Sequence, residues 1–118
     1  MVVEDEYFIR TMIADEMRDF GFHVIECGTA DEAIDVLNAG TDVDLVFSDI
    51  RMPGSLDGAE LASVVKERFP DLAIVLTSSE SPMNGAAAVQ FIPKPYHPES
   101  VIRTITDLLR GTPEAPHR

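Results

Sequence analysis

Four short apolar runs in this chain each end in polar chemistry, and that repeated pattern restricts the fold more than any other feature. Val2-Val3 runs into Glu4-Asp5-Glu6, and Val43-Asp44-Leu45-Val46-Phe47-Ser48 runs into Asp49. Ile74-Val75-Leu76 runs into Thr77-Ser78-Ser79, and Phe91-Ile92-Pro93 delivers Lys94-Pro95. Apolar runs of strand length separated by amphipathic helical stretches predict a parallel sheet wrapped by helices. In open sheets of that kind the ligand site lies at the carboxyl ends of the strands. An acid cluster, a lone Asp, a hydroxyl and a lysine are therefore expected to meet at one edge. Such a set suits a divalent cation and a phosphoryl group.

Length and composition narrow the function classes. At 118 residues the chain has room for one core, not two. A net charge of −12 disfavours nucleic acid as a direct partner, because phosphate repulsion would dominate the encounter. It suits a protein that binds cations or a partner carrying basic patches. No apolar stretch approaches the ~20 residues of a membrane span. Acids appear by residue 4, which leaves no apolar region for a signal peptide. The single cysteine, Cys27, has no partner for an internal disulfide and reads as a small buried thiol in a reducing cytoplasm.

Along the chain, residues 1–3 read as the end of a first strand. From Tyr7 to Phe20, apolar residues at Phe8, Ile9, Met12, Ile13, Met17 and Phe20 approximate a helical stripe, and Gly21 stops it. His23 to Glu26 reads as the second strand. Thr29 or Asp31 can cap a second helix bearing Ala30, Ala33, Ile34 and Leu37, closed by Gly40. Val43 to Ser48 is apolar enough for a central strand covered on both faces. After a Met52-Pro53-Gly54-Ser55 loop, Asp57 caps a helix through Phe69 with Leu61, Val64, Val65 and Phe69 inward. Ala73 to Thr77 and Val89 to Ile92 read as the fourth and fifth strands. Pro98 to Arg110 forms the last helix, with Val101, Ile102, Ile105, Leu108 and Leu109 on its inner face.

The result is a five-stranded, doubly wound α/β domain over residues 1–111, followed by a 112–118 tail that has no core to join. The crossover from the fourth strand to the fifth is short. Ser78 to Ala88 supplies eleven residues, with Pro82 and Gly85 among them. A parallel crossover needs at least ~10–12 residues, so a helix there is expected to be short or irregular and loosely held.

Asp49 is the first candidate site residue. Directly after a buried strand it is expected to be exposed at the sheet's edge, where an isolated Asp would be a loop acid or helix cap. Its company changes that reading. Glu4 and Asp5 emerge from a neighbouring strand, and three close carboxylates repel one another unless a cation offsets them. Hard oxygen ligands favour Mg²⁺. Mg²⁺ should then stabilise the chain, and so should removal of the Asp49 charge in chelator. With the metal in place Asp49 can act as a carboxylate nucleophile toward phosphorus, Lys94 and Mg²⁺ neutralise phosphoryl oxygens, and the Thr77 hydroxyl donates a hydrogen bond. Arg51, two residues on, would either cover the phosphoryl site or be a solvated loop charge.

Val3-Glu4-Asp5-Glu6, Ser48-Asp49-Ile50-Arg51-Met52-Pro53, Asp57-Gly58, Leu76-Thr77-Ser78 and Lys94-Pro95-Tyr96 together resemble the receiver domain of two-component response regulators. The resemblance spans essentially the whole chain in the right order. It implies a flavodoxin-like sheet of strand order 2-1-3-4-5 with helices on both faces. It implies a phosphoacceptor signalling domain rather than an enzyme, one that assists its own phosphorylation and dephosphorylation. Asp49 would take phosphate from a histidine kinase or a histidine phosphotransfer protein. Asp5, Asp49 and the Arg51 carbonyl would ligate Mg²⁺, with Glu4 bound through water. Thr77 would be the switch hydroxyl, Phe91 the aromatic that moves with it, and the Lys94-Pro95 bond would be cis. The downstream target is not specified, and a homodimer is left open.

Three departures stand out, one of them the short Ser78–Ala88 crossover, which should pack beside Phe91. Glu4-Asp5 replaces the pair of aspartates found in many receivers. The Asp57-Gly58 turn comes one residue late, a form that resembles a subgroup frequent in alphaproteobacteria and often found as stand-alone domains. Other functions fit less well. A pseudo-receiver serving only as a binding module would not need the intact Asp5, Asp49, Thr77 and Lys94 set. A phosphatase of the same phosphoaspartate logic would need a second acid just after the nucleophile, and position 51 is Arg. A fragment of a larger regulator or hybrid kinase is equally compatible with the Pro-rich tail.

Overall fold

A computed structural model describes residues 1–52, 54, 56–79 and 90–110. The expectations for the Ser78–Ala88 crossover beyond Ser79, and for the 112–118 tail, lie outside the described residues. In chain order the elements are β1 (Val2–Val3), α1 (Tyr7–Asp19), β2 (Glu26–Cys27), α2 (Ala30–Asn38), β3 (Leu45–Asp49), α3 (Gly58–Arg68), β4 (Ala73–Ser78), β5 (Gln90–Pro93) and α4 (Pro98–Leu109). All pairings are parallel, and the sheet runs β2-β1-β3-β4-β5. No helix among the described residues is long and apolar enough to cross a membrane.

Alternation along the strands divides the core into two layers. Val3, Val46, Ile74 and Leu76 face one side with Ala33 and Leu37 of α2 and Leu61 and Val65 of α3. Val2, Leu45, Phe47 and Val75 face the other with Ile13 and Met17 of α1 and Val101, Ile102 and Ile105 of α4. Neighbouring residues on one strand thus go to opposite cores, so a one-residue slip would exchange the layers.

Helix ends follow local chemistry. Of the two candidate caps for α2, Thr29 is the one used: its Oγ1 accepts from the Glu32 N–H at 3.0 Å, and Asp31 lies inside the first turn. Asp57 and Glu60 form a reciprocal capping box at the start of α3, each accepting from the other's backbone N–H at 2.9 Å. Gly21 and Gly40 follow their helices at φ +106° and +85°, values that residues with a Cβ rarely adopt.

Several sequence expectations need correction. The second strand is Glu26–Cys27 rather than His23–Glu26, and α3 ends at Arg68 with Phe69 as its cap. In the last helix Leu109 is exposed rather than inward. The largest error concerns α1, where Phe8, Met12 and Phe20 are exposed by 80, 47 and 63%. At about 100° per residue the buried arc holds Ile13, Met17 and Ala14. Phe8 and Met12 fall outside it, whereas Arg10 falls within it. Counting apolar residues placed the stripe off phase because one inner position is charged. Phe20 lies at the helix's end and stacks on Phe22, with ring centroids 6.2 Å apart.

Candidate functional site

The carboxyl edge of the sheet gathers the polar residues that the apolar runs release. β1 ends at Val3, so Glu4 and Asp5 follow at once. Asp49 is the last residue of β3 and sits in register with Thr77 of β4. Lys94 follows β5, and its N–H continues the ladder by donating to the Ser78 carbonyl at 2.9 Å. The Lys94-Pro95 bond is cis, as the resemblance implies.

Asp49 is not exposed at the edge, as the sequence suggested; it retains 7% exposure, and Glu4 retains 5%. The strand runs one residue further than its apolar stretch, and this carries the carboxylate inward. Both Asp49 oxygens are held. The Lys94 Nζ donates to Oδ2 at 2.8 Å, and the Arg51 backbone N–H donates to Oδ1 at 3.2 Å. Lys94 also reaches Glu4 Oε1 at 3.5 Å. Part of the charge offset assigned to a metal is therefore supplied by the protein's own ammonium. Arg51 itself is exposed.

Burial pushes the Glu4 carboxyl up to about 7. The Glu6 N–H, bonded to Glu4 Oε2 at 3.0 Å, and the charge of Lys94 act in the opposite direction, while Asp49 adds to the rise. Burial alone would lower the Lys94 ammonium, but hydrogen bonding and charge from Asp49, with Glu4 behind, hold it above its usual value. Asp5 is exposed and completes the acidic group. Glu4, Asp5 and Asp49 each offer a carboxylate oxygen, and these atoms lie within 4.8 Å of one another. A hard-oxygen set that compact fits Mg²⁺.

Thr77 is 1% exposed, and its Oγ1 has no hydrogen-bond partner among the described residues. Buried hydroxyls are normally satisfied, so an orphan in register with Asp49 is one donor waiting for an acceptor. Phe91, in register with Leu76, is half-buried against the α2/α3 core. The structure thus brings Glu4, Asp5, Asp49, Thr77 and Lys94 to one edge, with Arg51 at its rim and Phe91 one strand away.

Two supporting residues stand in the sequence motifs without a role of their own. Ser48 is fully buried and its hydroxyl donates to the Asp49 carbonyl at 2.9 Å. Gly58 was legible only as part of a motif. Its N–H donates to the Ile50 carbonyl at 2.7 Å, and a Cβ there would collide with the Asp49 carbonyl. Only glycine lets α3 start so close beneath the phosphoacceptor candidate. Cys27, read from the sequence as a small buried thiol, is buried and pushed up to about 11 mainly by that burial.

Comparison with known proteins agrees with this geometry. The family model for the response regulator receiver domain matches residues 1–106. The DNA-binding transcriptional regulator NtrC of Proteus hauseri is 30% identical over 112 residues, covering 88% of this chain and 23% of that protein. A putative NtrX-like response regulator of Rickettsia conorii is 26% identical over 113 residues, covering 90% of this chain and 24% of the relative. The chain therefore spans about a quarter of these relatives. Among solved structures, a response regulator receiver protein from Sinorhizobium medicae superposes with a TM-score of 0.85 at 26% identity, covering 93% of this chain and 92% of that one. The response regulator TrrA from Thermotoga maritima, solved in complex with Mg²⁺-BeF, gives 0.83 at 25% identity, with 91% and 95% covered. Receiver domains are signalling domains that take phosphate from histidine kinases and bind Mg²⁺ at an acidic pocket. With that match over most of its length, the same strand order and an acidic group at the sheet's carboxyl edge, this chain belongs to the response regulator receiver domain family.

Proposed function

We propose that Asp49 accepts a phosphoryl group from a phosphohistidine on a histidine kinase or a histidine phosphotransfer protein, and that this switches a protein-binding surface. A carboxylate oxygen of Asp49 forms the new P–O bond as the P–N bond to the donor imidazole breaks, and the electron pair leaves with the imidazole. Lys94 orients the carboxylate beforehand and neutralises the transferred oxygens afterwards, because its ammonium is already 2.8 Å from Asp49 Oδ2. The Arg51 N–H holds the other carboxylate oxygen. Asp5, Asp49 and the Arg51 carbonyl would hold Mg²⁺, and Glu4 would reach it through water. When bound, the ion supplies positive charge against the phosphoryl oxygens.

The observation that carries this reading is the buried Thr77 hydroxyl, which lacks a partner among the described residues and belongs to the residue in register with Asp49. A phosphoryl oxygen on Asp49 would give it an acceptor. Drawing Thr77 toward that oxygen would move β4 relative to β5 and so disturb the packing of Phe91, which is the switch. The single free thiol of Cys27 agrees with a reducing, cytoplasmic compartment for this exchange.

Acetyl phosphate with Mg²⁺, read by intact mass, tests the assignment. Wild type should gain the mass of one phosphoryl group and Asp49→Asn should gain none. Labelling that persists in Asp49→Asn, or none in wild type, would overturn it.

A further inference from the structure

Between β1 and α1 the Glu4 N–H donates to the Cys27 carbonyl at 3.0 Å and the Glu6 N–H to Glu4 Oε2 at 3.0 Å, but neither bond holds the Glu4 carbonyl. β1 is two residues long, and the N-cap of α1, Glu6, makes no side-chain capping bond. Glu4 and Asp5 nevertheless have to present their carboxylates beside Asp49. Arg10 reaches back over this segment from the first turns of α1. Its Nη1 donates to the Glu4 backbone carbonyl at 3.0 Å, and its Nε donates to Glu26 Oε1 at 3.3 Å. The guanidinium lies 5.4 Å from the Tyr7 ring centroid, and Nη1 would be 3.4 Å from a Cβ placed on Gly28. One side chain thus joins the end of β1, the start of α1 and the first residue of β2.

Glu26 is itself held on its other oxygen. The Arg18 Nη1 donates to Glu26 Oε2 at 2.9 Å, and the Arg18 Nη2 donates to the Val24 carbonyl at 3.1 Å. The Arg10 side chain is 18% exposed, occupying the inner phase of α1 that an apolar residue would normally fill. A planar guanidinium in two fixed bonds is well suited to hold a backbone carbonyl in place.

We propose that Arg10, oriented by Glu26, is a positioning residue that fixes the Glu4-Asp5 segment for cation binding and, through it, for phosphoryl acceptance. The inference rests on the reading of Glu4, Asp5 and Asp49 as the Mg²⁺ site. Arg10 touches none of the reacting atoms and acts through the Glu4 backbone. Supporting residues that orient metal ligands typically change metal affinity by about 10–100-fold when removed.

Mg²⁺ titration by calorimetry, together with the Mg²⁺ dependence of acetyl-phosphate labelling, separates positioning from mere stability. Wild type is measured first; if it binds no Mg²⁺, the site reading fails independently of Arg10. Given binding, Arg10→Ala should raise the half-saturating Mg²⁺ concentration about tenfold while the labelling rate at saturating Mg²⁺ stays near wild type. Glu26→Gln, which leaves Arg10 in place but loosens it, should give a smaller rise and covers the case in which Arg10→Ala does not fold. Arg10→Lys keeps the charge without the two-point geometry and should resemble Arg10→Ala. Half-saturation unchanged in both Arg10→Ala and Glu26→Gln, or full recovery in Arg10→Lys, would overturn the proposal.

Discussion

Val75 and Thr77 lie two residues apart on β4, and their exposures are 0% and 1%. Val75 belongs to the apolar layer over α1 and α4, where its contacts replace lost hydration. Thr77 sits at the carboxyl edge with a buried hydroxyl that has no hydrogen-bond partner among the described residues. The same contrast runs across the molecule. The two side-chain layers are closed by strand alternation, whereas the edge buries Glu4, Ser48, Asp49, Thr77 and Ser78 in one small region. Burial stabilises the layers and costs stability at the edge, because buried polar groups lose solvation that their neighbours only partly restore. A site that takes up a phosphoryl group and a cation, as proposed above, is expected to show this cost.

The largest effect should come from the layers. Leu76 is fully buried, so Leu76→Ala should lose roughly 2–5 kcal/mol in chemical denaturation, the usual range for a core leucine. A loss under ~1 kcal/mol would mean that the layers are less closely packed than the alternation implies.

The edge should respond to pH instead. Glu4 rises from its ordinary 4.5 to about 7 on folding, so the folded state holds this proton more tightly than the unfolded one. Its contribution is fully present below 4.5 and is lost as pH climbs to 7. In chelator, stability should fall by about 2 kcal/mol between pH ~5.5 and ~8, and Glu4→Gln should flatten that slope. An equal slope in the variant would move the cost to another group.

Thr77→Val preserves shape and removes the orphan hydroxyl. We expect a gain of about 1 kcal/mol, seen as a higher midpoint at unchanged denaturant slope. A loss would show that the hydroxyl is satisfied in solution.

The smallest change belongs to Asp49→Asn. Repulsion from Glu4 and Asp5 alone would make removal of this charge stabilising, as the sequence suggested. The 2.8 Å pair with Lys94 opposes that gain, so the two terms should nearly cancel and leave a difference under ~1 kcal/mol in chelator. A gain of several kcal/mol would show that repulsion dominates despite the lysine.

Some parts of the molecule are readable without coordinates because they depend on short-range rules. Each strand's apolar run specifies burial, Asp57 with Glu60 specifies a helix start, and glycines after α1 and α2 specify where those helices stop. The order in which the runs release Glu4-Asp5, Asp49, Thr77 and Lys94 also specifies the site, given that parallel strands deliver their ends to one edge. These readings needed only residue type and spacing.

Tertiary structure decided what depends on phase and distance. Whether Phe8 or Arg10 faces the sheet is set by how α1 seats on its neighbours, and a count of apolar residues cannot supply that rotation. The burial of Asp49 follows from one further residue of β3–β4 pairing. Gly58 is required by the close approach of α3 to the Asp49 carbonyl, a contact between segments whose separation no local pattern encodes. Lys94 spans forty-five positions to neutralise Asp49. The sequence alone determined which groups would meet; only the folded chain decided how deeply they are buried, which of them are paired, and that the Thr77 hydroxyl has no partner among the described residues, because those properties arise from contacts between distant segments in a close-packed edge.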